Sequence, residues 1–301
     1  MHLARHRADP EIATRGAANG PRLVAFTSDQ SHYSYLKSAR LTGLGSDNLI
    51  EIPSDERGRM CPERLEEAVI KSKESDCVRG VRVRNNFSFS CFCYVTLKLQ
   101  EYHSCRSLIP CKKITRKKSM LECELDCDVN SNINARTQVP FFCGSTAGTT
   151  VLGAYDPFDR VAEICERHGM WHHVDACWGG GAMLLSDVDS LVRGLNLADS
   201  VSWNPHKMSG APLQCSVFLT HHEGMLKSAN ASSAAYLFQP DKLFAEMDTG
   251  DKTIQCGRKT DMLKLWMMWK SKGDDGMARS GRNIWVRNKS QGMYKNDTRK
   301  Q

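Results

Sequence analysis

Two stretches, Trp171-His172-His173-Val174-Asp175-Ala176-Cys177-Trp178-Gly179-Gly180 and Ser200-Val201-Ser202-Trp203-Asn204-Pro205-His206-Lys207, decide how this chain folds. Each opens on a short apolar run and then breaks. The first breaks at an aspartate followed by a glycine cluster. The second breaks at Asn-Pro-His, where proline removes a backbone donor and restricts the residue before it, so neither strand nor helix continues. Short strands that end abruptly in polar groups belong to a parallel sheet whose functional side chains gather at the strand ends.

Working outward, the same alternation recurs. Residues 23–26, 49–52, 139–143, 201–203 and 215–219 read as strands, beside 171–174. Residues 34–41, 62–73, 157–168 and 261–270 read as helices, the second with Pro62 at its start and alternating charge. The expectation is an α/β fold, a mainly parallel sheet covered by helices on both faces.

The 301 residues allow one large or two ordinary domains, and they carry 13 cysteines. Met1-His2-Leu3-Ala4-Arg5-His6-Arg7 leads into no apolar core, and no run reaches membrane-spanning length. A cytoplasmic chain with free thiols, and without a membrane or nucleic-acid partner, is the reading. The net charge of +7 is local: residues 77–138 hold 11 basic and 5 acidic groups, residues 277–301 hold 7 and 1, and the remainder is mildly acidic. Residues 77–138 also hold 7 of the cysteines and no sustained periodicity, so they read as a disordered or non-native insert, of the kind a retained intron would give. The rival reading is a zinc or nucleic-acid module using Cys91-x-Cys93 and Cys123-x3-Cys127, whose spacings match structural zinc sites weakly. No metal site is assigned. The Arg-, Lys- and Asn-rich residues 277–301 read as a disordered tail.

The chemistry follows from Lys207 and Asp175. Most lysines are solvated surface groups, and an aspartate after a strand is commonly a helix N-cap. An amine that condenses with an aldehyde, paired with a carboxylate that holds a protonated ring nitrogen, is however what pyridoxal phosphate asks of a protein. Together the two stretches resemble the centre of the group II pyridoxal-phosphate decarboxylases, in the glutamate and cysteine sulfinic acid decarboxylase branch. The resemblance covers residues 1–76 and 139–276, including 141–157, Asp248-Thr249-Gly250-Asp251-Lys252 and Gln255-Cys256-Gly257-Arg258.

It implies the type I aminotransferase-like fold, incomplete at both ends and interrupted by 77–138. The parts would be residues 1–76 and 139–276 of a cofactor-binding large domain, in a homodimer with active sites at the subunit interface. The implied reaction is α-decarboxylation of an acidic amino acid, with L-glutamate to 4-aminobutanoate first. It would run by Schiff-base exchange at Lys207, loss of carbon dioxide and reprotonation. Cysteine sulfinate or aspartate is the alternative substrate, and a catalytically inactive fragment or dimerisation partner is the alternative of another class. The resemblance also implies that His32, in Gln30-Ser31-His32, stacks on the cofactor ring and that Thr150 reaches its phenolic oxygen. His206 would hold the phosphate or orient Lys207, and Tyr236 would protonate the carbanion from a mobile loop. Cys177 stands where the family usually has alanine or serine beneath the ring.

Overall fold

The computed structural model describes residues 1–18, 20–74, 114–117, 120–123, 138–239, 241–255, 257 and 259–290. The chain divides into two units, residues 1–76 with 137–301, and residues 77–136. In the larger unit β1 (Arg22–Ser28), β2 (Leu49–Ile52), β5 (Gln138–Thr146), β6 (Trp171–Ala176), β7 (Ser200–Trp203) and β8 (Val217–Thr220) form one sheet. Its order is β2-β1-β5-β6-β7-β8, with the first five strands parallel and β8 antiparallel to β7.

The central strands β1 and β5 carry continuous buried apolar runs, 23–26 and 141–143, because both faces are covered. Val24, Phe26 and Cys143 face α4 (Pro62–Glu74) and α5 (Phe158–His168), packing with Leu65, Val69 and Val161. Leu23, Ala25, Phe142 and Trp171 pack on the other face with α1 (His2–Ala8) and α3 (Ser34–Leu41), through Leu3 and Tyr35. Full burial of each such side chain contributes roughly 1.5–3 kcal/mol. Helix α5 ends where Gly169 adopts φ 67° and the Met170 N–H caps the Cys165 carbonyl at 2.8 Å, which returns the chain to β6.

The expected helices at 34–41 and 62–73 are present, and β5 runs three residues past its expected end, to Thr146. Helix α2 (Ile12–Arg15), α6 (Met225–Asn230) and α1 were not expected from the pattern. All three are short and lack side-chain caps.

The tail needs correcting. Helix α7 runs from Asp261 to Ser290 with a break at Gly273 (φ 65°, ψ 177°), so residues 277–290 are helical rather than disordered. Met277 is fully buried and Arg282 grips Asp187 through two hydrogen bonds of 2.6 and 2.9 Å. These anchors outweigh a composition that lacks helical periodicity.

The smaller unit includes an antiparallel hairpin, β3 (Ile114–Lys117) with β4 (Met120–Cys123). The expectations of disorder or zinc for the rest of residues 77–138, and of disorder for 291–301, lie outside the described residues.

Candidate active site

The parallel strands all deliver their last residues to one edge of the sheet. Register places Thr146 beside Asp175, and Asp175 beside Ser202, at the ends of β5, β6 and β7. The loop after β1 brings His32, and the turn after β7 brings Asn204 and Lys207. Here they line a cavity of about 210 Å³ together with Ser34, Thr146, Gly148, Thr150, Asp175, Cys177 and Trp178.

Each wall has a local cause. The Lys207 N–H bonds the Asn204 carbonyl at 2.9 Å, closing a tight turn around Pro205. Asp175 Oδ1 accepts the Cys177 N–H at 3.0 Å and lies 3.5 Å from Ser202 Oγ. His32 Nδ1 accepts the Ser34 N–H at 3.3 Å and lies 2.9 Å from Ser34 Oγ, which sets the angle of the ring. The two threonines of the Gly-Thr-Thr turn divide their work. Thr149 is buried and its hydroxyl accepts the Ala154 N–H at 3.0 Å, whereas exposed Thr150 faces the cavity.

Beneath this turn, Asp156 is buried and accepts the Met60 N–H at Oδ1 and the Thr146 N–H at Oδ2, both at 2.7 Å. Burial pushes its carboxyl up to about 7 against the pull of those two donors. Burial, assisted by the Asp175 carboxylate, likewise pushes the Cys177 thiol up to about 12, so that side chain is a neutral wall.

Five of the seven residues expected at the site therefore meet in one cavity: Lys207, Asp175, His32, Thr150 and Cys177. His206 and Tyr236 are not part of its lining. The His206 Nδ1 lies against the Cys215 backbone, 2.5 Å from its carbonyl oxygen and 3.1 Å from its nitrogen, so it steadies the turn that bears Lys207 rather than offering itself to a phosphate in this cavity. Tyr236 is 84 % exposed, on a segment whose neighbours Leu237, Leu243 and Phe244 are exposed too.

Thr146, Ser34, Gly148, Trp178 and Asn204 were not singled out. Thr146 was concealed because the predicted strand stopped at residue 143, which made residue 146 a turn position. Its Oγ1 is buried without a hydrogen-bond partner among the described residues. An orphaned hydroxyl beside a lysine, a carboxylate and an imidazole is a donor set that fits pyridoxal phosphate, which offers an aldehyde, a basic ring nitrogen and a phenolic oxygen.

A second cluster sits elsewhere. Asp199, His221 and His222 place ligand atoms within 4.8 Å of one another. The Asp199 carboxylate already takes Arg7 (3.0 Å), His222 (2.6 Å) and the His172 N–H (2.7 Å), tying α1 to the starts of β6 and β7. Among the described residues no helix is long and apolar enough to cross a membrane.

Residues 3–91 and 103–295 match the family described as the pyridoxal-dependent decarboxylase conserved domain. The chain is 38 % identical over 281 residues to cysteine sulfinic acid decarboxylase of Mus musculus, covering 93 % of this chain and 45 % of that protein. It is 36 % identical over 279 residues to the acidic amino acid decarboxylase GADL1 of Xenopus tropicalis, covering 92 % and 43 %. The crystal structure of the mouse cysteine sulfinic acid decarboxylase superposes with a TM-score of 0.71 at 36 % identity, over 96 % of this chain and 48 % of that one. The chain thus spans about half the length of the curated relatives it matches.

Proposed function

Because this chain belongs to the pyridoxal-dependent decarboxylase family, we propose that it is the cofactor-binding part of an enzyme that decarboxylates acidic amino acids. The observation that carries the reading is the single cavity lined by Lys207, Asp175, His32 and Thr150. When bound, pyridoxal phosphate supplies an electron sink for the pair left by a departing carboxylate. Lys207 would hold the aldehyde through its amine, and Asp175 would keep the ring nitrogen protonated. The His32 imidazole would cover one face of the ring, and Cys177 would bound the cavity as an uncharged thiol. Thr150 and the orphaned Thr146 hydroxyl would satisfy the phenolic oxygen. Tyr236, carried in by closure of its exposed segment, would return a proton while closure excludes water. His206 would act through the Lys207 turn. A homodimer would be the working assembly.

The relatives at 36–38 % identity are named for cysteine sulfinic acid and for acidic amino acids, which ranks cysteine sulfinate ahead of glutamate. Glutamate is the second reading, favoured by Gln30-Ser31-His32 and Gln239-Pro240-Asp241-Lys242, which resemble glutamate decarboxylase. The test begins with the purified chain and pyridoxal phosphate. Near-visible absorbance should appear, borohydride should fix the cofactor mass on the Lys207 peptide, and Lys207→Ala should abolish both. Labelled carbon dioxide release would then be compared among cysteine sulfinate, glutamate and aspartate. Absence of the adduct, or an adduct on another lysine, would overturn the reading.

A further inference from the structure

Hydrogen-bond contacts run from Trp171 to Asp175 across β6 and β7, and one direction along them suits the chemistry of both ends. Trp171 Nε1 can only donate, and it donates to Ser200 Oγ at 2.8 Å. Ser200 Oγ lies 2.9 Å from His173 Nδ1, and in that direction its own proton goes to that nitrogen. Burial pushes the His173 imidazole down to about 3, which makes it neutral with one proton to place. With Nδ1 accepting, the proton sits on Nε2, 3.4 Å from Ser202 Oγ. At the far end Asp175, as a carboxylate, only accepts, and Ser202 Oγ is 3.5 Å from its Oδ1. The Cys177 thiol adds a second donor to Ser202 at 3.3 Å, leaving the Ser202 proton free for Asp175. In the opposite direction Ser202 would give its proton to His173, and Asp175 would keep its contacts with the Cys177 N–H and thiol but lose the serine.

We propose that His173 and Ser202 are positioning residues: this relay orients the Asp175 carboxylate as an acceptor at the cavity, favouring a ligand that carries a protonated aromatic ring nitrogen. The proposal rests on the cofactor reading above and adds to it the groups that act through Asp175. Packing alone does not require them. The His173 ring lies between Phe142 and Phe218, with centroids 6.1 and 6.2 Å away, and a phenyl ring would fill that sandwich equally well.

The first measurement uses the cofactor-free full chain. Nitrogen-15 NMR of the His173 ring at pH 7 should find Nε2 protonated and Nδ1 an acceptor; the reverse tautomer overturns the relay. The second is titration with pyridoxal phosphate, followed by absorbance. Ser202→Ala should weaken binding roughly tenfold, the scale of a hydrogen bond to a charged group, and Ser202→Thr should restore it to within about twofold. The carbocyclic analogue, in which CH replaces the ring nitrogen, should bind wild type and Ser202→Ala alike. An equal loss for both ligands means Ser202 only packs, and overturns the proposal. No binding by the wild-type chain would instead bring down the cofactor reading and this proposal with it. Binding that does not distinguish the variants brings down the relay alone.

Discussion

Gly148 sits at the cavity wall with φ 80°, and a Cβ there would stand 2.8 Å from Gly179 Cα and 3.0 Å from Gly179 N. Both obstacles are backbone, so nothing can swing aside. Gly148→Ala should therefore cost about 1–3 kcal/mol in urea unfolding, and it should weaken pyridoxal phosphate binding because the turn carrying Thr150 must shift. Cys177 presents the opposite case, a reactive residue type made inert. With its thiol pushed up to about 12, it stays protonated at neutral pH. Iodoacetamide followed by peptide mapping should leave Cys177 unmodified in the native chain and modify it once urea has unfolded the protein. Lys207 and Asp175 were legible in the sequence because each follows an apolar run that stops at a chain-breaking or glycine-rich segment. Thr146 was not, since a threonine in Gly-Ser-Thr-Ala-Gly looks like any turn residue until β5 is known to reach it. Tyr236 entered only through resemblance; as an exposed aromatic on an irregular segment, it carries no local mark of the role proposed for it.

At the scale of elements, β6 and the loop that packs beneath the end of β5 hold titratable groups whose protonation is linked to stability. The β6 residues His172 and His173 are neutral in the fold, pushed by burial down to about 4 and about 3. Their stabilisation is complete above the unfolded value of about 6.5 and is lost as pH falls towards 4. Asp156 has the opposite sign: raised to about 7, it stabilises fully below the unfolded value of about 3.8, and that contribution is lost as pH rises through 7. Two imidazoles outweigh one carboxylate, so the urea midpoint of the cofactor-free chain should fall between pH 6.5 and 4.5. Asp156→Asn removes the opposing group and should steepen that fall; it also forfeits one of two buried acceptors, lowering stability at pH 7 by about 1–3 kcal/mol. A midpoint that rises on acidification would show that the imidazoles do not dominate. Helix α7 makes a separate point about elements. Composition alone argued for disorder after residue 276, yet Met277 is fully buried, and Ala278 packs against the core cluster of Val174, Ala182 and Met208. Met277→Ala should destabilise by about 2–5 kcal/mol in urea unfolding. Tertiary contacts of this kind are invisible to a window of sequence, as are those that hold the short helices α1 and α6. The long apolar strands announced themselves, because burial on both faces writes itself into every residue.

At the scale of the whole molecule, the sheet order makes residues 77–136 separable from the unit that contains the site. Strand β2 leads into α4, and α4 leads onward to β5, against which it packs. Helix α4 ends at Glu74 and β5 begins at Gln138. If Asp76 were joined directly to Thr137, only residues 75, 76 and 137 would remain between helix and strand. That is an ordinary connection, since helix-to-strand loops in α/β folds commonly run about 2–6 residues. The chain divides at this same place, with residues 1–76 and 137–301 forming one unit. Among the described residues, every side chain that lines the cavity comes from the unit of residues 1–76 and 137–301. Deleting them should consequently yield a folded chain with cooperative urea unfolding, and it should take up pyridoxal phosphate at Lys207 with an affinity within a few-fold of the full chain. Circular dichroism, urea titration and borohydride trapping on the deletion variant measure each part. Loss of cooperative unfolding would mean that the sheet depends on residues 77–136 to bring α4 onto β5. Retained folding with lost cofactor would mean instead that those residues contribute to the site.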